Sequence, residues 1–199
     1  PGYDVTERNL KIRMKLQNMK VLSVAAVLSV TMLAGCANER LEDELSYRQV
    51  GINCMAEGDY EKAEKAFENA LKQHIGDVTE TELDICFYKA AAQFASGNTD
   101  GALETYNALL DYDSQNANAY YLRGTLLLSQ GDSENALKDY KEAVKYNAKD
   151  YELYVNIYEN LAAHNLTEDG ENYLNQAFSI KGDDAESLTW RGRIYYLLG

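Results

Sequence analysis

Proline is almost missing from this sequence: it occurs once, at Pro1, in 199 residues. Proline removes a backbone donor and clashes with the preceding helical turn, so its absence leaves room for uninterrupted helices. Cysteine is scarce as well, and three Cys do not make a disulfide framework in a chain of this length. Basic residues are in deficit, 19 Lys and Arg against 32 Asp and Glu, a formal net charge of −13. That balance argues against a nucleic-acid partner, because such binders gain affinity by neutralising phosphates. What the chain does have is apolar mass, 46% of its residues, which is a globular rather than a disordered composition.

Catalytic groups are missing in the same way. His74 and His164 stand far apart, each near the expected end of a helix, without Cys or carboxylate at ligand spacing. Capping or surface roles suit them better than metal binding. Cys54 and Cys86 fall in core-facing positions and read as small buried hydrophobes, with a disulfide between them as the lesser alternative. No phosphate loop or Gly-rich nucleotide fingerprint occurs. The expectation is a protein that is not an enzyme and uses no cofactor or metal.

The N-terminal stretch is different in kind. Residues 1–18 have no clear pattern, and Met14 and Met19 are both plausible initiators. Lys20 then precedes thirteen uncharged residues, Val21 to Leu33. As a helix this run is roughly 20 Å long, short of the ~30 Å hydrocarbon core, and suits a signal-peptide h-region better than a membrane span. Leu33-Ala34-Gly35-Cys36 follows directly. These residues resemble the bacterial lipobox, in which small residues admit the chain to a signal peptidase and the thiol accepts a diacylglyceryl group. The resemblance implies a lipoprotein signal peptide over residues 19–35, lipid attachment at Cys36, and a bacterial envelope protein anchored on the extracytoplasmic side. Two or more acyl chains would be needed, since one holds a protein only marginally. Residues 36–43 read as a polar tether. Without residues 1–35 the chain keeps 14 basic and 30 acidic residues, net −16, so anionic headgroups would repel the folded part.

From Glu44 onward the sequence repeats. Gly58-Asp59-Tyr60-Glu61-Lys62-Ala63, Gly97-Asn98-Thr99-Asp100-Gly101-Ala102 and Gly131-Asp132-Ser133-Glu134-Asn135-Ala136 align with offsets of 39 and 34 residues. The longer offset is one period plus five residues around Gly76 to Thr81. A further period reaches Asn165, and Asn is the usual substitute for Gly in a left-handed turn. Tyr47, Cys86, Tyr120, Tyr154 and Leu188 form one column, and Gly51, Ala90, Gly124, Tyr158 and Gly192 another, four residues later. Downstream columns are Ala63, Ala102, Ala136 and Gly170, then Phe67, Tyr106, Tyr140 and Leu174, then Ala70, Leu109, Ala143 and Ala177.

Spacings of three and four place each set on one helical face. A small residue at Gly51 or Gly124 facing Ala63 or Ala136 would let two antiparallel helices approach closely. Asp59, Asn98 and Asp132 stand where a side-chain oxygen would cap a second helix. In the fourth unit Tyr158 takes the small-residue slot and Gly170 its partner's, which reads as a compensating exchange of volume. The cap there is expected to shift to Thr167, with Glu168 and Asp169 in the first turn. Asp113-Ser114, Asn147-Ala148 and Gly182-Asp183 serve as breakers.

This pattern resembles the tetratricopeptide repeat, a helix–turn–helix unit of 34 residues. The resemblance implies an all-α superhelix, a solenoid over residues 44–199, with units near 44–77, 83–116, 117–150 and 151–184 and a partial one at 185–199. The last helix carries Leu188, Trp190, Ile194, Tyr195, Tyr196, Leu197 and Leu198 against few charges, so the natural protein is expected to continue.

The family binds proteins or peptides in a groove lined by the first helix of each unit. By analogy the groove residues here are Arg48, Phe87, Tyr88, Tyr121, Thr125, Asn156, Glu159 and Arg193. Several of these serve equally well as core between repeats, and for the aromatic ones that is the favoured reading. A carboxylate-gripping Lys/Asn/Arg cluster is not present, so a peptide or helix held by Tyr and Arg anchors is the expected ligand. The functional expectation is a lipid-anchored interaction scaffold or envelope assembly factor, including the pilus-biogenesis type. The alternative is the N-terminal adaptor of a larger enzyme.

Overall fold

The computed structural model describes residues 33–73 and 76–199, with side chains from Arg40 onward. Residues 1–32, which hold most of the expected export signal, and His74 lie outside the described residues. The described chain consists of helices α1 (Leu33–Ala56), α2 (Tyr60–Gln73), α3 (Glu80–Ala95), α4 (Thr99–Tyr112), α5 (Ala117–Ser129), α6 (Ser133–Tyr146), α7 (Tyr151–Ala163), α8 (Thr167–Phe178) and α9 (Ala185–Leu197). The fold is all-α, as the periodicity predicts. α1 begins before the first repeat, so the stretch read as a tether, residues 36–43, is helical backbone continuous with the first unit. Cys36 lies in that helix, and its side chain is outside the described set.

Every hairpin turns the same way. Gly58 (φ 78°), Gly97 (φ 86°) and Gly131 (φ 82°) are left-handed, and Asn165 (φ 62°) takes the same place in the fourth unit. The next residue's N–H then reaches back to close the preceding helix: Asp59 to Cys54 O at 2.8 Å, and Leu166 to Leu161 O at 2.9 Å. That next residue also begins the second helix. Asp59, Asn98 and Asp132 accept from the backbone N–H of Lys62, Gly101 and Asn135, so three predicted caps are present. The fourth differs from expectation. Leu166, not Thr167, is the N-cap of α8 and offers no side-chain oxygen, because the left-handed residue before it sets where the helix starts. The five-residue insertion ends in a capping box that joins Thr79 to the Glu82 N–H at 3.2 Å and Glu82 to the Thr79 N–H at 3.0 Å.

The chain divides into two compact units, one ending at Ser114 and one running from Gln115 to Gly199. In the first, α1 packs on α2 and α3 on α4, around Ala63, Phe67, Ala70, Ile85 and Ala92. Gly51 faces the Phe67 ring, and a Cβ built there would collide with it. In the second, α5–α6 and α7–α8 form hairpins and α9 lies against α7 and α8. Its core runs from Leu128 and Ala136 through Tyr140, Tyr154 and Leu174 to Ile194. A Cβ at Gly124 would sit 3.0 Å from the Tyr140 ring and 3.2 Å from the Ala136 carbonyl oxygen. The exchange in the fourth unit is real: the Tyr158 ring covers Gly170, 3.0 Å from where a Cβ would stand.

One column is less uniform than expected. Cys86 and Tyr154 are buried, while Tyr47 is 37% and Leu188 56% exposed. α2 and α6 pack beside α3 and α7 within their units, whereas no described helix precedes α1. Leu188 shares its face of α9 with Gly192, where an added Cβ would meet open space.

Candidate partner-binding surface

The first helices of successive repeats meet through polar side chains. In the first compact unit, the Arg48 Nε on α1 donates to Asp84 Oδ2 on α3 at 2.7 Å. Its guanidinium carbon lies 5.3 Å from the centre of the Tyr88 ring. That ring stacks on Phe67 at 5.7 Å, so this contact reaches the core. Arg48 and Tyr88 are thus brought together, and half-buried Phe87 is their neighbour on α3.

In the second unit the links are amide and hydroxyl. Asn160 on α7 donates to the Tyr121 hydroxyl at 3.1 Å and to Thr125 Oγ1 at 3.2 Å, both on α5. Thr125 Oγ1 also lies 3.2 Å from the Tyr140 hydroxyl, tying the surface network to the deepest ring of the core. Asn156 stands one turn earlier on α7, half-buried. Arg193 on α9 pairs with Glu159 on α7 at 3.0 Å and lies 5.2 Å over Trp190. These links span 36, 39, 35 and 34 residues, close to one repeat period each. They form a ladder from each first helix to the next within a unit.

Six of the eight predicted groove residues therefore stand in contacts between helices or with aromatic rings, and Phe87 and Asn156 flank them. Sequence reasoning missed Asp84, Asn160 and Trp190. Asn160 had a signal: it lies one turn after Asn156 on the same face. Asp84 had none without knowledge of which helices pair.

Other candidate chemistry is easily placed. Cys54 and Cys86 are free thiols. Burial pushes the Cys86 thiol up to about 12, so it is neutral and inert at ordinary pH. His164 is the C-cap residue of α7, its Nδ1 2.8 Å from the Asn160 carbonyl oxygen. Among the described residues no three His, Cys, Asp or Glu side chains gather as a metal site, and no helix is long and apolar enough to cross a membrane. Burial also raises the Tyr106, Tyr140 and Tyr173 hydroxyls to about 12.

Comparison with known proteins agrees with this geometry. The family profile described as tetratricopeptide repeat matches residues 88–152. No curated protein matches the chain. Among solved structures, the chain is similar to TTC0263, a thermophilic TPR protein of Thermus thermophilus, at 23% identity and TM-score 0.54. That likeness covers 78% of this chain and 83% of the other. MamA is similar at 14% identity and TM-score 0.55 over 80% of this chain and 87% of its own. YrrB, described as a TPR protein with an unusual peptide-binding site, is similar at 17% identity and TM-score 0.51, over 75% of this chain and 74% of its own. Likeness at these identities establishes the fold alone.

Proposed function

This chain is a tetratricopeptide-repeat protein, and from that premise we propose that it is a non-catalytic scaffold of the bacterial cell envelope. In this reading it grips a protein or peptide across its first helices and is held to a membrane by lipid on Cys36. The observation that carries the binding half is the ladder of Tyr121, Thr125, Asn160, Glu159 and Arg193. Its side chains are half-buried or exposed, held in place by each other, and mixed aromatic and polar in character. A surface held in place before binding loses less side-chain entropy when a ligand arrives. Tyr and Arg supply the large, hydrogen-bonding contact area that concentrates binding energy.

The anchoring half rests on order in the sequence: Lys20, thirteen uncharged residues, then Leu33-Ala34-Gly35-Cys36. The strongly negative chain after Cys36 fits a protein that stands off its membrane rather than lying on it.

Two experiments test the halves separately. Metabolic labelling with a palmitate analogue marks the wild type and not Cys36→Ser; equal labelling of both removes the anchor. A photo-crosslinking residue at Asn156 in host cells captures a defined partner that Arg193→Ala with Tyr121→Ala releases. Capture that ignores those two changes removes the groove. A soluble partner with no envelope location would leave binding standing and end the localisation.

A further inference from the structure

One register position runs acidic through the first helices. Asp84 on α3, Glu152 on α7 and Glu186 on α9 occupy it, with Asn118 on α5 between them, each 34 residues after the last. On α3 the position is filled. The Arg48 Nε donates to Asp84 at 2.7 Å, and its guanidinium carbon lies 5.3 Å from the centre of the Tyr88 ring, one turn beyond Asp84. An acid with a ring four residues later is therefore a seat for a guanidinium, which pairs with the carboxylate and rests on the π-face.

The second compact unit keeps the acids and lacks the arginine. Glu186 and Trp190 on α9 repeat the pairing of an acid with a ring one turn later. The register position of Arg48 belongs to Tyr121 on α5 and to fully buried Val155 on α7, so neither helix offers a cation there. Glu152 and Glu186 are exposed, and neither pairs with a cation among the described residues. The cations nearby are engaged elsewhere: Asp139 holds Arg123, and Glu159 holds Arg193. Both acids lie in the first turn of their helices, where the dipole favours negative charge. Their register adds something the dipole does not: Glu152 shares the stripe of Asn156, Glu159 and Asn160, spaced i, i+4, i+7, i+8. We propose, resting on the groove reading above, that the second unit takes an extended, arginine-bearing segment of a partner protein. Glu152 and Glu186 pair with successive guanidinium groups, and Trp190 stands beside the second. Charge complementarity sets this choice, since the stripe carries Glu152, Glu159 and Glu186 against Arg193 alone.

The test adds a labelled peptide, alanine-based with arginine at every third position, to the 199-residue chain and follows its fluorescence anisotropy. Packed helices lie about 8–10 Å apart, and a polyproline-II segment advances about 9 Å in three residues and returns to the same side. Consecutive arginines can therefore reach both acids. The expected result is saturable binding, weakened about fivefold by Glu152→Gln with Glu186→Gln. Glu168→Gln with Glu171→Gln, which removes the same charge from α8, should leave it unchanged. Reversing both acids, Glu152→Lys with Glu186→Lys, should transfer the preference to a glutamate peptide of the same spacing. Absence of saturable binding overturns the proposal, as does a preference that does not transfer. Equal weakening by the α8 pair also overturns it, for then net charge alone attracts the peptide. A partner crosslinked at Asn156 and released by Tyr121→Ala with Arg193→Ala, yet indifferent to Glu152→Gln with Glu186→Gln, overturns this proposal and leaves the groove standing. Absence of any such capture removes the groove and this proposal with it.

Discussion

The two compact units share a backbone plan and differ in what joins their helices. The unit ending at Ser114 uses charge. Besides Arg48 and Asp84, it holds Lys89, only 4% exposed, with Nζ 3.6 Å from Glu68 Oε1. It also holds a chain in which Thr105 donates to Gln93 at 2.8 Å and Gln93 to Glu64 at 3.0 Å. The unit from Gln115 onward uses tyrosine. Tyr140 meets Tyr121 at 6.0 Å and Tyr173 edge-on at 6.4 Å, and its hydroxyl joins the Thr125–Asn160 network. Its main ionic link is the double contact of Arg123 with Asp139, both at 2.7 Å. A repeat therefore constrains volume and turn geometry at its signature columns, and leaves the chemistry of the joints free.

The sharpest way to break this comparison is to empty the shared slot. Phe67→Ala and Tyr140→Ala should each cost about 3–5 kcal/mol by denaturant melting, because both remove a fully buried ring. Alkaline titration should then separate the units. Tyr140 and Tyr173 have hydroxyls raised to about 12 by burial, while among the described residues of the first unit only Tyr106 is so raised. A raised folded value means the stabilisation is intact below the ordinary tyrosine value near 10 and is lost as pH climbs towards 12. The loss should be on the order of 2–3 kcal/mol per tyrosine and greater in the second unit, read by hydrogen exchange of each unit across that range.

Gly124→Leu should destabilise by about 1–3 kcal/mol, since the new side chain must displace the Tyr140 ring. Gly192→Leu should leave the melting curve in place. Equal effects at the two positions would show that the register of α9 is misread. Smaller again is Tyr140→Phe, expected to cost about 1 kcal/mol by deleting one hydroxyl from the Thr125–Asn160 network. Nothing comparable exists to delete at Phe67. Smallest is the cap pair: Asp132→Ala should lower the melting temperature measurably and Thr167→Ala should not, because only the first accepts a helix-start N–H.

Most of the fold was legible because a repeat prints the same local instruction several times. The left-handed turns and the caps at Asp59, Asn98 and Asp132 follow from a residue and its neighbours within one turn, and the Tyr158–Gly170 exchange from two facing positions of one hairpin. The misplaced cap was legible too. One period beyond Asp132 lies Leu166, and the left-handed residue before it sets the helix start whatever side chain follows. The ladder was only half legible. Periodicity placed Tyr121, Thr125 and Glu159 on the right faces, but whether each meets solvent or another first helix depends on contacts more than thirty residues away.

By itself the sequence determined where helices begin, where they turn, and which faces are apolar, since those depend on backbone preference and on spacing along one helix. Only the tertiary structure decided that Arg48 answers Asp84, that Asn160 holds Tyr121 and Thr125, and that the Tyr140 hydroxyl joins them. The reason is physical: a side chain's partner is chosen by where neighbouring helices come to rest, and that is settled by packing of the whole unit rather than by any one segment.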